Sequence, residues 1–400
     1  MKRIIASAGL LALGMAGVNA AVTATAPAEK PWSVSAALRG FYDDNYALAH
    51  DNKQDSFGLE INPTVGVNLQ GQQTDFGAKY SYTLRDYFDR VGDNVDHTHE
   101  FAMWLMHQFT ERYSVNLRDD LVYSQEPTLT SGGTGTVRSE GTVLRNEGQI
   151  NFNTQLSRLF GLVTGYRNVL YDYKNPTYSA LLDRLEHYAN VDVTWQLTPQ
   201  TMTLVGYQFG VIEYTGGDLG AYKSKYKDSR SHYAYLGLQH DFTPQFTASI
   251  RAGVQFIEYY NLPSGSGFSE NDCNPYVKAS LRYNYLPGSY IDTGFEHMRT
   301  QTDLMRPDGE SSVFYLTLSH SITPKLIGSV TGLAQYTCYD AQAGQAGVSD
   351  WLYQVGLNLE YRFTPNFSAN VAYNFDTVQS DAPNRGYNRN RAFVGATVSY

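Results

Sequence analysis

A long alternation of apolar and polar residues constrains this chain more than any other feature, because a period of two places successive side chains on opposite faces of a β-strand. From Phe57 to Leu69 every odd position is apolar, and every even position is polar or glycine. The same period recurs from Phe246 to Phe256 and from Trp351 to Phe363. A strand of this length extends about 43 Å, enough to cross a bilayer when tilted. The pattern predicts membrane-spanning strands with one apolar face.

Short connections of one type recur between these alternating segments, and several of them contain Thr-Pro. Longer loops rich in Gly, Asp, Asn and Ser separate successive short connections. Eight short turns that join nine hairpins predict 18 strands, with both chain ends on the short-turn side. The turns start 37 to 47 residues apart and occupy residues 70–74, 109–113, 156–160, 197–201, 242–246, 285–289, 322–326 and 363–367.

The predicted fold class is all-β, a transmembrane antiparallel up-and-down β-barrel of about 18 strands over residues 32–400. Short turns on one rim and long loops on the other are typical of bacterial outer-membrane barrels, in which the short turns face the periplasm. A β-propeller also repeats near this spacing, but each of its blades needs four strands. Each repeat here holds two strands, and both exceed the usual length in soluble sheets.

The N-terminus has the pattern of a secretory signal peptide. Lys2 and Arg3 precede an apolar run that ends in Val18-Asn19-Ala20, and small residues at this spacing are typical of signal peptidase cleavage. We expect residues 1–20 to be removed after Ala20, and residues 21–31 to form a short periplasmic segment before the barrel. The cleavage point carries no cysteine, so no lipid anchor is predicted.

Composition and charge narrow the class further. The chain has 32 tyrosines and a formal charge of -9, which becomes -11 without Lys2 and Arg3. A negative chain is a poor partner for nucleic acid. Tyrosine concentrates where one end of the ring is wet, and aromatic residues gather at both strand ends. They predict one girdle at Phe109, Tyr113, Phe160, Trp195, Phe242, Phe246, Tyr285, Phe363 and Phe367, and an outer one at Tyr42, Tyr87, Tyr123, Tyr171, Tyr173, Tyr214, Phe256, Tyr259, Tyr336 and Phe375.

The first predicted strand carries a family signature. The segment from Ala37 to Asn45, most specifically its end Tyr42-Asp43-Asp44-Asn45, resembles the opening of the putative β-barrel porin 2 family. The resemblance covers the whole mature chain and implies a large porin-like barrel, with some members associated with exopolysaccharide export. It supplies no catalytic or ligand residues.

The C-terminus resembles the assembly signal of outer-membrane barrels, because an alternating apolar face ends in the aromatic Tyr400. The expected location is therefore the outer membrane. The expected partners are outer-membrane lipid and lipopolysaccharide, the barrel assembly machinery through this last strand, and small hydrophilic solutes or polysaccharide.

The polar phase of each strand predicts the charges that face the lumen, and eleven positive residues balance eleven negative ones. Two interpretations remain open: ion pairs that stabilise a wide polar wall, or a constriction where arginines face carboxylates and orient solutes. The constriction candidates are Arg118, Arg145, Glu147, Arg167 and Glu186. The positive set is Arg39, Lys79, Arg85, Arg118, Arg145, Arg167, Arg251, Lys278, Arg282, Arg362 and Arg391, and the negative set is Glu60, Asp75, Glu100, Asp120, Glu147, Glu186, Asp192, Asp241, Asp292, Glu296 and Glu360.

The longest connection, Glu126 to Val143, could add a gate. It is the third outward loop, is rich in glycine and hydroxyl residues, and carries Arg138 and Glu140 near its end. Such a loop could fold inward and narrow the channel. The alternative is a solvated outer loop.

Other chemistry finds little support in the sequence. His97 and His99 share one strand face and could bind a transition metal, but no third ligand is placed by spacing. No hydrolase, phosphate-binding or dinucleotide-binding pattern is present. No catalytic residue, metal site or cofactor is therefore predicted. A disulfide between Cys273 and Cys338 remains open, because it requires the outer loops to bring together strands three apart.

Function follows from the predicted barrel, since 18 strands leave an aqueous channel unless something fills it. The leading hypothesis is a porin-like channel for passive diffusion of hydrophilic solutes. A port for exopolysaccharide export and a structural or adhesive barrel closed by its own loops are the alternatives.

Overall fold

The computed structural model describes residues 30–125, 142–220, 222–267, 269–301, 308–341 and 346–400. Its 18 long strands form one antiparallel sheet in which every strand pairs with the next along the chain. The strands are β1 Trp32–Asp43, β2 Ser56–Gln70, β3 Thr74–Tyr87, β4 Val95–Thr110, β5 Tyr113–Ser124, β6 Val143–Gln155, β7 Phe160–Tyr173, β8 Arg184–Thr198, β9 Thr201–Tyr214, β10 Ser229–Thr243, β11 Phe246–Tyr259, β12 Asn271–Leu286, β13 Ser289–Gln301, β14 Asp308–Ser321, β15 Leu326–Tyr339, β16 Val348–Thr364, β17 Phe367–Ser380 and β18 Tyr387–Ser399.

The sheet closes on itself, because β1 also pairs with β18 from Ser35↔Ser399 to Asp43↔Arg391. The predicted 18-stranded all-β barrel is confirmed. Helix α1, Pro176–Leu182, lies in the loop between β7 and β8, and a short 3₁₀ turn, Ser224–Lys227, lies between β9 and β10. Within the described ranges, no helix combines the length and apolarity needed to span a membrane.

The family signature at the end of the first strand stabilises the contact between β1 and β18. The Asp43 carboxylate pairs with the Arg389 guanidinium of β18 at 2.5 Å, and both groups are buried. Asp44 accepts hydrogen bonds from the backbone and side-chain amides of Asn390, both at 2.6 Å. The Asn45 amide donates to a backbone carbonyl of β18. The signature therefore links the first strand to the last at the long-loop rim.

The recurring short turns share a local cause. In the turns that contain threonine after the last aromatic or aliphatic residue of a strand, the hydroxyl oxygen accepts a hydrogen bond from the backbone amide two residues later, a common way to stabilise a turn. Pro at the next position presets the backbone for such a turn. The acceptors are Thr110, Thr198, Thr243, Thr323 and Thr364, at 3.2 to 3.3 Å.

The predicted phase of the strands is confirmed in β2, where the alternation is cleanest. Phe57, Leu59 and Val65 are exposed on the outer surface, whereas Glu60 on the other face is buried. The same orientation holds for Val254 in β11 and Leu357 in β16. The apolar face therefore contacts lipid, and the polar face lines the inside of the barrel.

Two prolines interrupt the backbone ladder, and neighbouring side-chain amides replace part of it. At Pro63 the pairing of β2 with β3 skips two positions, and the Asn62 amide donates to the Tyr82 carbonyl at 3.1 Å. Near Pro275 the pairing of β12 with β13 ends at Val277↔His297. There the side chain of Gln255 exchanges two hydrogen bonds with the backbone of Arg299.

The aromatic girdle at the short-turn rim is as predicted, but the outer one is only partly so. Tyr87, Tyr171, Tyr173, Tyr214 and Tyr259 are almost fully buried. Their position near a strand end suggested a girdle, but the face of a strand residue depends on whether its number is odd or even. Tyr171 and Tyr173 are at odd positions of β7, as is Arg167, so they point inward with it. The aromatic side chains that point outward and are exposed are Phe109, Tyr113, Phe160, Trp195, Phe242, Phe256, Phe363 and Phe367.

The two cysteines are free and exposed. Cys273 in β12 shares its parity with the outward-facing Tyr283, and Cys338 in β15 alternates with the buried Leu333, Gln335 and Thr337. Both thiols therefore point away from the lumen on strands three apart, and the possible disulfide is not formed.

We predict that Val65→Arg prevents stable folding in the membrane, because an arginine at mid-bilayer depth on the lipid face costs about 2 to 4 kcal/mol. Thr64→Arg is the matched control, since the neighbouring side chain points to the inside. Heat-modifiable migration on gels reports the folded barrel. Equal migration of the two variants would contradict the assignment of faces.

Candidate functional site: the charged lumen wall

Four of the constriction candidates lie together on the inner face of three adjacent strands. Glu147 on β6 pairs with Arg145 on the same strand and, at 3.6 Å, with Arg167 on β7. Arg118 on β5 pairs with Asp120 at 2.5 Å and acts electrostatically on Glu147. One carboxylate thus pairs with two arginines, and a third arginine lies on the same patch of wall.

Glu186, the fifth candidate in the described ranges, is on the inner face of β8 but has no exposed surface. Its carboxylate accepts hydrogen bonds from Arg184 Nε at 2.7 Å and from the Tyr188 hydroxyl at 3.0 Å. The guanidinium carbon of Arg184 lies 3.7 Å from the centre of the Tyr171 ring. We therefore assign Glu186 a structural role in the wall instead of direct contact with solutes.

Helix α1 covers this part of the lumen from the long-loop side. Leu181 and Leu182 pack on Val143 and Val169, inward residues of β6 and β7, so the loop between β7 and β8 folds into the barrel mouth. The local cause is Asn175, whose side chain accepts from two backbone amides of the first turn, followed by proline at the first helical position. No sequence pattern had predicted this helix.

The carboxylate at the end of α1 ties the inward loop to the wall. Asp183 accepts hydrogen bonds from the backbone amide of Tyr173 at 2.7 Å and from the Ser179 hydroxyl at 2.6 Å. Burial nevertheless raises the pKa of Asp183 above its ordinary value, since desolvation outweighs these donors.

A second charged patch lies on β8 and on β11 to β13. Arg251 pairs with Asp192 at 3.5 Å, Lys278 with Glu296 at 2.5 Å, and Arg282 with Asp292 at 3.7 Å. Arg251 and Lys278 are direct partners in the β11–β12 register. Most of the predicted lumen charges are therefore joined by ion pairs, and many of these pairs link neighbouring strands.

Trp104 was missed as a lumen residue. It shares the parity of Glu100 in β4, is partly exposed, and has its indole over Gly77 of β3, where a Cβ atom would fall 1.9 Å from the ring. Its direct partner on β5 is Arg118. The signal available in the sequence was a tryptophan in the polar phase of a strand, opposite a glycine.

The outer end of β13 leans over the lumen. Beyond its last pairing with β12, its Gln301 accepts a hydrogen bond from the Tyr214 hydroxyl of β9 at 2.8 Å. Arg299 pairs with three carboxylates, which lie close enough together to hold a metal ion. The Arg299 guanidinium already supplies the positive charge that a metal ion would bring. The cluster therefore acts as an ion-pair network that links the ends of neighbouring strands. Its carboxylates are Asp308 at 2.8 Å, Asp340 at 2.5 Å and Asp272 at 3.6 Å.

The paired histidines of β4 point outward. His97 is hydrogen-bonded to the Tyr82 hydroxyl at 2.8 Å and His99 to the Tyr80 hydroxyl at 2.9 Å. The same pairing joins His187 to a tyrosine of the neighbouring strand. These residues behave as members of the outer interfacial belt.

The proposed gate falls largely outside the described residues. Arg138, Glu140 and the rest of residues 126–141 belong to that part of the chain. The gate formed by this third outward loop therefore stays a prediction. In the described part, the fourth loop, with α1, lies over the lumen.

A closed barrel with an apolar outer surface and a charged inner wall defines a porin-like protein of the outer membrane. Residues 33–400 match the putative β-barrel porin 2 family, so the chain belongs to that family. The resemblance noted at the first strand is thereby confirmed.

Solved structures with a similar fold are other outer-membrane proteins. OpdK of Pseudomonas aeruginosa is 12% identical, with a TM-score of 0.47 over 92% of this chain and 99% of that one. OccK2 of the same species is 13% identical, with a TM-score of 0.48 over 92% and 98%. OccAB4 of Acinetobacter baumannii is 13% identical, with a TM-score of 0.45 over 93% and 99%. No curated protein sequence matches the chain.

We predict that the fluorescence of Trp104 is quenched from water and not from lipid. A variant with Trp32, Trp195 and Trp351 replaced by Phe reports Trp104 alone. Acrylamide should quench it strongly, and brominated phospholipid should not, because the indole lies on the inner face of the wall, away from lipid. The variant that keeps only Trp351, which points outward, should show the opposite order. Quenching of Trp104 by brominated lipid would contradict its placement.

Proposed function

We propose that this porin-like barrel conducts small hydrophilic solutes across the outer membrane by passive diffusion. The observation that carries the proposal is the exposure of inward-facing polar side chains. Asp75, Lys79 and Arg282 lie on the inner face of the wall and remain solvent-exposed. A barrel filled by its own side chains would bury these charged groups, and burial of charge is costly. Their exposure therefore favours a lumen that holds water.

The narrowest part of the proposed path lies towards the long-loop rim. The inner face there carries the buried tyrosines of β7 to β11, helix α1 and the leaning end of β13. The exposed charges lie towards the short turns and at mid-strand. Solutes would therefore enter past the inward loop and then meet the charged wall.

Passive diffusion predicts discrete ion currents. Purified protein in planar bilayers should give stepwise single-channel conductance, and liposomes that contain it should swell in small sugars faster than in larger ones. Heat-denatured protein is the control. A folded barrel that gives no current would favour the structural or adhesive alternative. Normal solute uptake with loss of capsule staining in a deletion strain would favour exopolysaccharide export.

The inward helix provides a second prediction. Leu182→Ser removes a fully buried side chain that anchors α1, and loss of such a leucine typically costs about 2 to 5 kcal/mol. The loop should then leave the lumen, and single-channel conductance should rise. Leu262→Ser in the loop between β11 and β12 is the matched control and should leave conductance unchanged. An unchanged conductance in a folded Leu182→Ser barrel would contradict this role of α1.

A further inference from the structure

The lumen charges balance in number but not in exposure. Among the eleven positive residues of the predicted lumen set, none is buried. Seven of the eleven negative residues are buried: Glu60, Glu147, Glu186, Asp192, Asp292, Glu296 and Glu360. Within this set the cations are therefore more accessible to water than the carboxylates, although Arg145 and Glu147 differ little, at 13% and 11% side-chain exposure.

Individual ion pairs show the same asymmetry. The side chain of Arg282 is 44% exposed and that of its partner Asp292 is 4% exposed. For Lys278 and Glu296 the values are 28% and 6%. The larger exposure belongs to the cation in the pair of Arg251 with Asp192 as well. In these three pairs the carboxylate is the more buried member and the cation is the more exposed one.

Side-chain length accounts for this arrangement. Lysine and arginine carry their charge on long apolar stems that extend along a surface and end in water. The shorter side chains of aspartate and glutamate cannot reach as far from the backbone, so in these pairs the carboxylate is covered by the cation. Each ion pair is thus a dipole with its positive end towards the lumen.

Inward tyrosines reinforce the arrangement. The Tyr235 hydroxyl donates to Asp192 at 2.6 Å, closer than Arg251 at 3.5 Å. The guanidinium carbon of Arg167 lies 4.3 Å from the centre of the Tyr188 ring, and the Tyr188 hydroxyl donates to Glu186. Neutral hydroxyls thus satisfy part of the carboxylates' hydrogen-bonding capacity, and the arginines remain available to solutes.

The cationic surface also converges across the lumen. Arg167 on β7 and Lys278 on β12 are five strands apart in the wall, yet Arg167 is close enough to contribute to the electrostatic environment of Lys278. Charges of one sign that line a narrow passage with low-dielectric walls raise the local concentration of counter-ions. A passing anion would meet both cationic patches in the same region.

We propose that the channel selects for anions, and that its solutes are small molecules bearing carboxylate or phosphate groups. This inference rests on the proposed passive channel and adds the charge of what passes through it. The cations Arg167, Arg251, Lys278 and Arg282 attract the anion, since each has at least a quarter of its side chain exposed. The more deeply buried carboxylates hold these cations in place. The formal balance of lumen charges does not determine the selectivity.

The test is the reversal potential of the full-length channel in a planar bilayer under a potassium chloride gradient. We expect the permeability ratio of chloride to potassium to exceed one. The sharpest variants remove both members of a pair, so that net charge is unchanged and no buried carboxylate is left alone. These variants are Lys278→Gln with Glu296→Gln, and Arg282→Gln with Asp292→Asn.

Each paired variant should lower the permeability ratio of chloride to potassium by about twofold or more. It removes a cation that solutes can reach, and the carboxylate removed with it is buried. The matched control is Glu111→Gln with Lys325→Gln, an exposed pair of charges in the short turns, which should leave the ratio unchanged. Heat-modifiable migration verifies that each variant is folded.

The outcomes separate the two proposals. A conducting channel that prefers potassium, or one whose anion preference survives both paired variants, overturns the inference and leaves passive diffusion intact. Folded protein without any conductance overturns the proposed function itself, and the inference with it. Anion preference that falls in the lumen variants alone supports both.

Discussion

The closure of the sheet between β1 and β18 is the constraint on which the rest of this structure depends. Hydrocarbon offers no partner to backbone amides and carbonyls, so a strand edge left open in the membrane would be costly. Backbone pairing removes that edge, and the buried pair of Asp43 with Arg389 fixes it at the long-loop rim. Breaking a buried ion pair by removing one partner typically costs about 3 to 5 kcal/mol. The family signature of the chain is thus a device for closure.

Closure also separates inside from outside, and this separation gives each strand its chemistry. The outer face meets lipid and remains apolar, with exceptions such as Asp119, which accepts a hydrogen bond from the Asn146 amide at 3.1 Å. The inner face can carry charge because neighbouring strands bring opposite charges into contact. Even the interruptions at Pro63 and Pro275 keep the backbone satisfied, since side-chain amides of Asn62 and Gln255 take the vacant positions.

Features that depend on interactions between near neighbours in the sequence were predicted well, and those that depend on distant residues were not. Tight turns are local, and threonine hydroxyls stabilise five of the eight, so the spacing of the eight turns predicted all 18 strands. Parity is also local, and it placed Glu147 and Arg167 on the inner face correctly. The outer girdle failed at Tyr171 because residue type and position near a strand end were weighed above parity. Helix α1 escaped notice because it is only seven residues long, too short to show a helical period.

The sequence by itself determined the strand number, the faces of the strands and the sign of each lumen charge, because a period of two and a tight turn involve only near neighbours. The tertiary structure decided which charges water can reach. In the sequence, Arg282 and Asp292 are simply equal and opposite charges, yet the exposures of their side chains differ about tenfold in the structure. That difference depends on side-chain length, on register between strands and on tyrosines that approach from other strands, and these contacts exist only once the barrel has closed.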